Sequence, residues 1–167
     1  SMEDAVKNIS GMLNVLSHLQ NSNLEFKMYF LGGKKIHFEK QIEHLKLNEN
    51  NLFFIDHIPQ NQMVQYLQNS DVFILFSNYE NLPCVILESF SCGIPVISTR
   101  VGGIEEYFPH DFGVLIDPKD EKELAHQILN FKSKKWADSN SMHQYAKEHF
   151  SQSQIANTYH KLYLKML

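Results

Sequence analysis

Residues 77–103 read SNYENLPCVILESFSCGIPVISTRVGG, a short helix-like run framed on both sides by strand-like sequence. Glu80 and Glu88 bracket seven residues that include Pro83 and are otherwise almost wholly apolar. Asn81 can cap a helix, Pro83 suits its first turn and Gly93 suits its C-terminal stop. At about 100° per residue, Ile86, Leu87 and Phe90 share one side and should face a sheet. Glu88 falls nearly opposite, flanked one turn away by Cys84 and Cys92. Glu80 precedes the helix, where the N-terminal dipole and unpaired N–H groups favour negative charge or a polar ligand. Either glutamate alone is most simply a solvated charge. Together, with Val101-Gly102-Gly103 at the end of the next strand, they outline one rim.

Outward from this stretch, helices and short apolar strands alternate. Val6, Ile9, Leu13, Leu16 and Leu19 recur at helical spacing, which predicts one amphipathic helix over 3–20. EFKMYFLGG reads as a strand ending in a Gly32-Gly33 turn, followed by a polar, Lys-rich helix over about 34–46. NLFFID, DVFILF, IPVIST and GVLI read as further strands. QNQMVQYLQNS reads as a helix, and three more cover about 119–132, 138–148 and 152–166. This pattern predicts an α/β domain with a parallel sheet covered by helices on both faces. Ligands of such sheets bind beyond the carboxyl ends of the strands. Those ends are Gly32-Gly33, Asp56 to Pro59, Ser77 to Pro83 and Thr99 to Gly103, two of them within the stretch quoted above.

Composition narrows the partners. The 167 residues suit one domain, and 12 Phe against 7 Gly allow a substantial core. A net charge of −4, without a Lys or Arg block, excludes an electrostatic footprint for nucleic acid. No apolar run is long enough to span a bilayer, and no signal-peptide pattern opens the chain. Cys84 and Cys92 on one helix would be separated by roughly 12 Å of axial rise, beyond the roughly 7 Å that a disulfide bridges, so both should stay reduced. That fits a cytoplasmic compartment. The 9 histidines are scattered without a ligand spacing, so no metal site is expected. There is no GxGxxG, LGGKK lacks the Lys-Ser/Thr ending of a phosphate loop, and a phosphoacceptor domain would want an Asp where DVFILF runs into Ser77-Asn78.

The string S-x-x-E-N-L-P-x-V-I-L-E-S-F-x-C-G-I-P-V-I-S-T-x-V-G-G resembles the E-x7-E region of retaining glycosyltransferases of family 4. The positions Ser77, Glu80, Glu88, Gly93, Pro95, Gly102 and Gly103 carry the match. More loosely it extends from KNISGMLNVLSHL to FSQSQIANTYHKLY, so it covers nearly the whole chain. The resemblance implies a Rossmann-like domain forming the C-terminal, donor-binding half of a GT-B fold over 1–167, cut from a longer protein at its N-terminal edge. It implies no cofactor, and a nucleoside diphosphate sugar as donor.

By position, Glu88 resembles the glutamate that holds the ribose hydroxyls, a task suited to a carboxylate accepting two hydrogen bonds. Glu80 resembles the residue that touches the transferred sugar beside the reacting carbon. Backbone groups of Asn81, Leu82 and Cys84 would serve the sugar and phosphate. Lys7 aligns with the lysine that neutralises the diphosphate, and His57-Ile58 matches the segment edging the nucleobase. The chain departs from the pattern at Asn81, where many members have Gly, and at Pro83, which has no N–H to offer. The family's phosphate-binding arginine would fall near Met2, and the first strand of the half-domain is missing. The acceptor, a sugar or lipid-linked sugar, would meet the absent half, and the resemblance leaves open peripheral membrane association of the full-length enzyme. A nucleotide-sugar-binding module without activity, or a GT-B epimerase, is the alternative.

Overall fold

The layers follow from which side of each strand is apolar. In the computed structural model, which describes residues 2–166, Phe73↔Val96 and Leu75↔Ser98 pair β3 (Phe73–Leu75) in parallel with β4 (Val96–Thr99). Val96↔Gly113 and Thr99↔Ile116 pair β4 with β5 (Gly113–Ile116), also in parallel. β4 is central, and all four of its residues are buried. Alternate side chains go to opposite faces. Ile74, Phe76, Ile97, Val114 and Ile116 join a core with α2 (Ile9–Leu19) and α6 (Glu121–Leu129). Phe73, Leu75, Val96 and Leu115 join a second core with α5 (Cys84–Ser91) and α7 (Ser139–Phe150). Helices therefore cover both faces, as the alternation implies.

β1 (Met28–Leu31) and β2 (Leu52–Ile55) form a second, two-stranded parallel sheet in the register Met28↔Leu52 to Leu31↔Ile55. Its rings stack across the pair, Tyr29 on Phe53 at 4.8 Å and Phe30 on Phe54 at 4.6 Å. Phe30 and Leu52 belong to the core that α2 shares with the larger sheet. Between β1 and β2 lies α3 (Glu39–His44), preceded by a 3-10 turn at Lys35–His37. The expected helix over 34–46 is thus broken at Phe38, which turns inward beside Ile42. α4 (Gln60–Gln68) leads from β2 to β3, and α8 (Gln152–Met166) closes the chain.

One expected helix is two. α1 (Met2–Lys7) stops at Asn8, whose φ of 53° and ψ of 44° are left-handed, and α2 restarts at Ile9. Asn tolerates this conformation better than other side chains do, because its short amide bonds locally. Here Asn8 Oδ1 accepts from Gly11 N at 3.3 Å, and the Asp4 carboxylate accepts from Ser10 N at 2.7 Å and Ser10 Oγ at 2.6 Å. The carbonyls freed at the break accept from Asn78, Val6 O from its N–H at 2.7 Å and Ala5 O from its Nδ2 at 3.0 Å. The end of β3 is thereby tied to the turn that carries Lys7. The side chain of Met2, beside which an arginine would fall, lies outside the described residues.

Candidate functional site

The carboxyl ends of β3 and β4 converge on the start of α5. Ser77 is fully buried, and its carbonyl accepts from Thr99 Oγ1 at 2.6 Å. Its own hydroxyl donates to Glu80 Oε1 at 2.6 Å. The same oxygen receives Lys7 Nζ at 2.6 Å, with the Glu80 side chain 10% exposed and that of Lys7 46%. A residue 73 positions away and one three positions away therefore fix one carboxylate oxygen. A second strap holds the loop from behind, where Gly103 N donates to Asn81 O at 3.1 Å. Gly102 has φ +59°, and a Cβ there would run into the Glu80 carbonyl and come within 2.8 Å of the Asn81 carbonyl oxygen. Only glycine fits that position without moving backbone.

The helix start lacks a side-chain cap. The cap residue is Pro83, with φ −72° and ψ 104°, rather than Asn81, whose carbonyl is spent on Gly103. Proline offers neither N–H nor capping oxygen, so the N–H groups of Cys84 and Val85 find no acceptor among the described residues. Asn81, Leu82 and Cys84 are exposed around them. Ile86 and Phe90 are fully buried as expected, Leu87 packs partly, and Ser89 is buried with its hydroxyl donating to Ile94 O at 3.0 Å.

Glu88 sits about one turn further along, half-buried, and its Oε1 accepts from Gln60 Nε2 at 2.5 Å. Gln60 opens α4, directly after Asp56-His57-Ile58-Pro59. Glu88 and the His57-Ile58 segment therefore share one edge, while Lys7, Glu80 and the uncapped amides share the other. Cys84 and Cys92 are both free, and burial, then Glu88, pushes the Cys92 thiol pKa up. Among the described residues no three His, Cys, Asp or Glu gather as a metal would need. Nor is any helix among them long and apolar enough to cross a membrane.

Two bonds of this site were not foreseen: Asn78, inside the strand end Ser77 to Pro83, anchors α1, and Gln60, one residue past the strand end Asp56 to Pro59, holds Glu88. Both reach residues far along the chain, which no local pattern predicts.

Known proteins resemble this chain in fold and in sequence. The chain overlays 98% of its length on 43% of a sucrose-phosphate synthase from Thermosynechococcus elongatus, with a TM-score of 0.83 at 21% identity. On Alr3699/HepE of Anabaena, solved in complex with UDP, it overlays 93% of its length on 45% of that chain, at a TM-score of 0.76 and 24% identity. These neighbours are GT-B glycosyltransferases, and the chain shares the fold of under half of each. The N-acetyl-alpha-D-glucosaminyl L-malate synthase of Bacillus anthracis is 39% identical over 71 residues, 42% of this chain and 19% of that one. The matched stretch thus spans about a fifth of that relative. The family model described as glycosyl transferases group 1 matches residues 4–149, and the chain belongs to that family.

Proposed function

We propose that this chain is the donor-binding domain of a retaining glycosyltransferase acting on a nucleoside diphosphate sugar. The observation that carries the reading is the pairing of Glu80 with Lys7 and Ser77 at the uncapped start of α5, with Glu88 further along the same helix. Each group suits one part of such a donor. Glu88 accepts from the ribose hydroxyls, and the His57-Ile58 backbone edges the base. The Cys84 and Val85 N–H groups and the helix dipole face the diphosphate, and Asn81 and Leu82 border it. Lys7, already at the mouth, adds a positive charge where negative charge builds on the leaving diphosphate.

In the transfer, the bond between the sugar's anomeric carbon and the diphosphate oxygen breaks, and a bond to the acceptor oxygen forms. The diphosphate leaves with the electron pair, and its departing oxygen takes the proton that the acceptor hydroxyl loses. Glu80, beside the reacting carbon, accepts from sugar hydroxyls and holds the ring for attack. The acceptor, a sugar or lipid-linked sugar, is met by a second domain of the whole protein, and peripheral membrane association belongs to that part. A cytoplasmic setting keeps Cys84 and Cys92 reduced. The domain by itself binds donor and transfers nothing, because orientation and water exclusion need both walls of a cleft.

The test is calorimetry and thermal shift of the chain with UDP, UDP-glucose, UDP-N-acetylglucosamine, GDP-mannose and ADP-glucose. At least one should bind and raise the Tm. Binding of none would refute the donor-site reading.

A further inference from the structure

Glu80 Oε1 takes two donors of unlike standing. Ser77 Oγ reaches it at 2.6 Å from a fully buried residue whose carbonyl is itself tied to Thr99 Oγ1. Lys7 Nζ reaches the same oxygen at 2.6 Å from the open side, its side chain 46% exposed against 10% for that of Glu80. The backbone beneath Lys7 is held, because Ala5 O and Val6 O accept from Asn78 and the helix breaks at left-handed Asn8. From that fixed point the ammonium sits on a flexible four-carbon stem. Ser77 is therefore the permanent donor to Glu80, and Lys7 the exchangeable one.

The second oxygen of the carboxylate, Oε2, takes no donor among the described residues. A hydroxyl can therefore bond to Glu80 whether or not Lys7 is in place. What Lys7 controls is charge. With the ammonium at contact distance the carboxylate is neutralised, and without it the same oxygens are stronger acceptors. The N–H groups of Cys84 and Val85, without acceptors among the described residues, lie on this same edge. A diphosphate seated on them carries more negative charge than one carboxylate, and so draws the ammonium more strongly.

We propose that Lys7 is an exchange latch, which neutralises Glu80 in the ligand-free domain and transfers to the diphosphate when a donor binds. Glu80 then presents its full charge to the sugar only once the diphosphate is seated. The inference rests on the donor-binding reading above and adds to it a coupling between the two ends of the ligand. A free sugar meets a neutralised Glu80. A bare nucleoside diphosphate takes Lys7 away and leaves Glu80 with its charge uncompensated. Only a sugar still joined to its diphosphate satisfies both groups, so the latch favours the intact donor over its two halves.

A double-mutant cycle on the affinity for the tightest-binding of UDP, GDP and ADP reads the exchange. Glu80→Gln keeps an acceptor for Ser77 and removes the charge that Lys7 has to leave. Calorimetry should show Glu80→Gln strengthening the nucleotide by roughly 2- to 5-fold more when Lys7 is present than in Lys7→Met protein. Plain repulsion between Glu80 and the phosphates acts in both backgrounds and cancels. An equal gain in both, or a larger one without Lys7, would overturn the proposal. The wild-type complex gives a check free of variants. In its crystal structure Lys7 Nζ should bond a phosphate oxygen and lie beyond hydrogen-bond reach of Glu80, and an ammonium still seated on Glu80 Oε1 would also overturn the latch. Wild type that binds none of the three nucleotides removes the donor site itself, whereas binding with equal gains in the two backgrounds removes the exchange alone.

Discussion

Glu80 and Glu88 border the same helix, yet their surroundings are unlike. Glu80 is nearly buried and receives Ser77 from the segment after β3 and Lys7 from the α1–α2 break on a single oxygen. Glu88 lies on the outer side of α5 and, among the described residues, its carboxylate accepts a hydrogen bond only from Gln60. One carboxylate is fixed by the fold, and the other is held by an exposed side chain of the next helix over. The difference teaches where rigidity is concentrated. Position beside a reacting carbon demands fixed geometry, while gripping a ribose tolerates a side chain that adjusts. Lys7 is half-exposed, so its ion pair contributes little to stability, on the order of 0–1 kcal/mol. Its value lies in placing a charge.

The contrast breaks most severely if the strap behind Glu80 is removed. Gly102→Val puts a branched side chain at φ +59° against the Glu80 and Asn81 carbonyls. Strain and clash together should destabilise by roughly 2–4 kcal/mol and abolish sugar-nucleotide binding. Urea unfolding and calorimetry measure both. A variant as stable and as tight-binding as wild type would show that the loop is not held from this side.

Next in size is Glu88→Ala, expected to weaken every nucleotide ligand ~10- to 100-fold through loss of charge-assisted bonds of roughly 1.5–3 kcal/mol. Its Tm should stay near wild type, since the fully buried face of α5 is formed by Ile86 and Phe90. Unchanged affinity would sink the ribose role. Glu80→Ala should cost sugar-nucleotides roughly tenfold and bare diphosphates much less. Lys7→Ala should do the reverse. Parallel losses for both ligand types in both variants would erase the distinction between the two ends of the rim.

Much of this was legible in the chain, for identifiable reasons. Strands such as DVFILF and helices such as α2 announce themselves because burial imposes a period on local sequence. The pairing of Glu80 with Lys7 was not legible from periodicity. The break at Asn8 that positions Lys7 leaves Val6, Ile9 and Leu13 in helical phase, and depends on Asn78 bonding Ala5 O across 73 residues. Ser89 breaks the apolar period of α5, yet it is fully buried because the Ile94 carbonyl satisfies its hydroxyl inside the core. α8 shows the opposite limit. Ile155, Tyr159 and Leu162 keep a helical stripe and the helix forms, but all three stay exposed. Periodicity gives a face, and only packing tells whether anything covers it.

The smallest effect concerns the partner of Glu88. Gln60 donates at 2.5 Å from an exposed position, so its bond competes with water and holds the carboxylate only loosely. Gln60→Ala should therefore weaken UDP by about 2- to 3-fold and leave the Tm unchanged, well short of the Glu88→Ala loss. Gln60→Glu sharpens the point, because it sets a second negative charge against Glu88 and should weaken binding more than the alanine does, with the excess shrinking in high salt. Titrations of the two variants at low and high ionic strength separate the cases. If alanine at 60 cost as much as alanine at 88, Glu88 would be as firmly organised as Glu80, and the contrast between a fixed and an adjustable carboxylate would be lost.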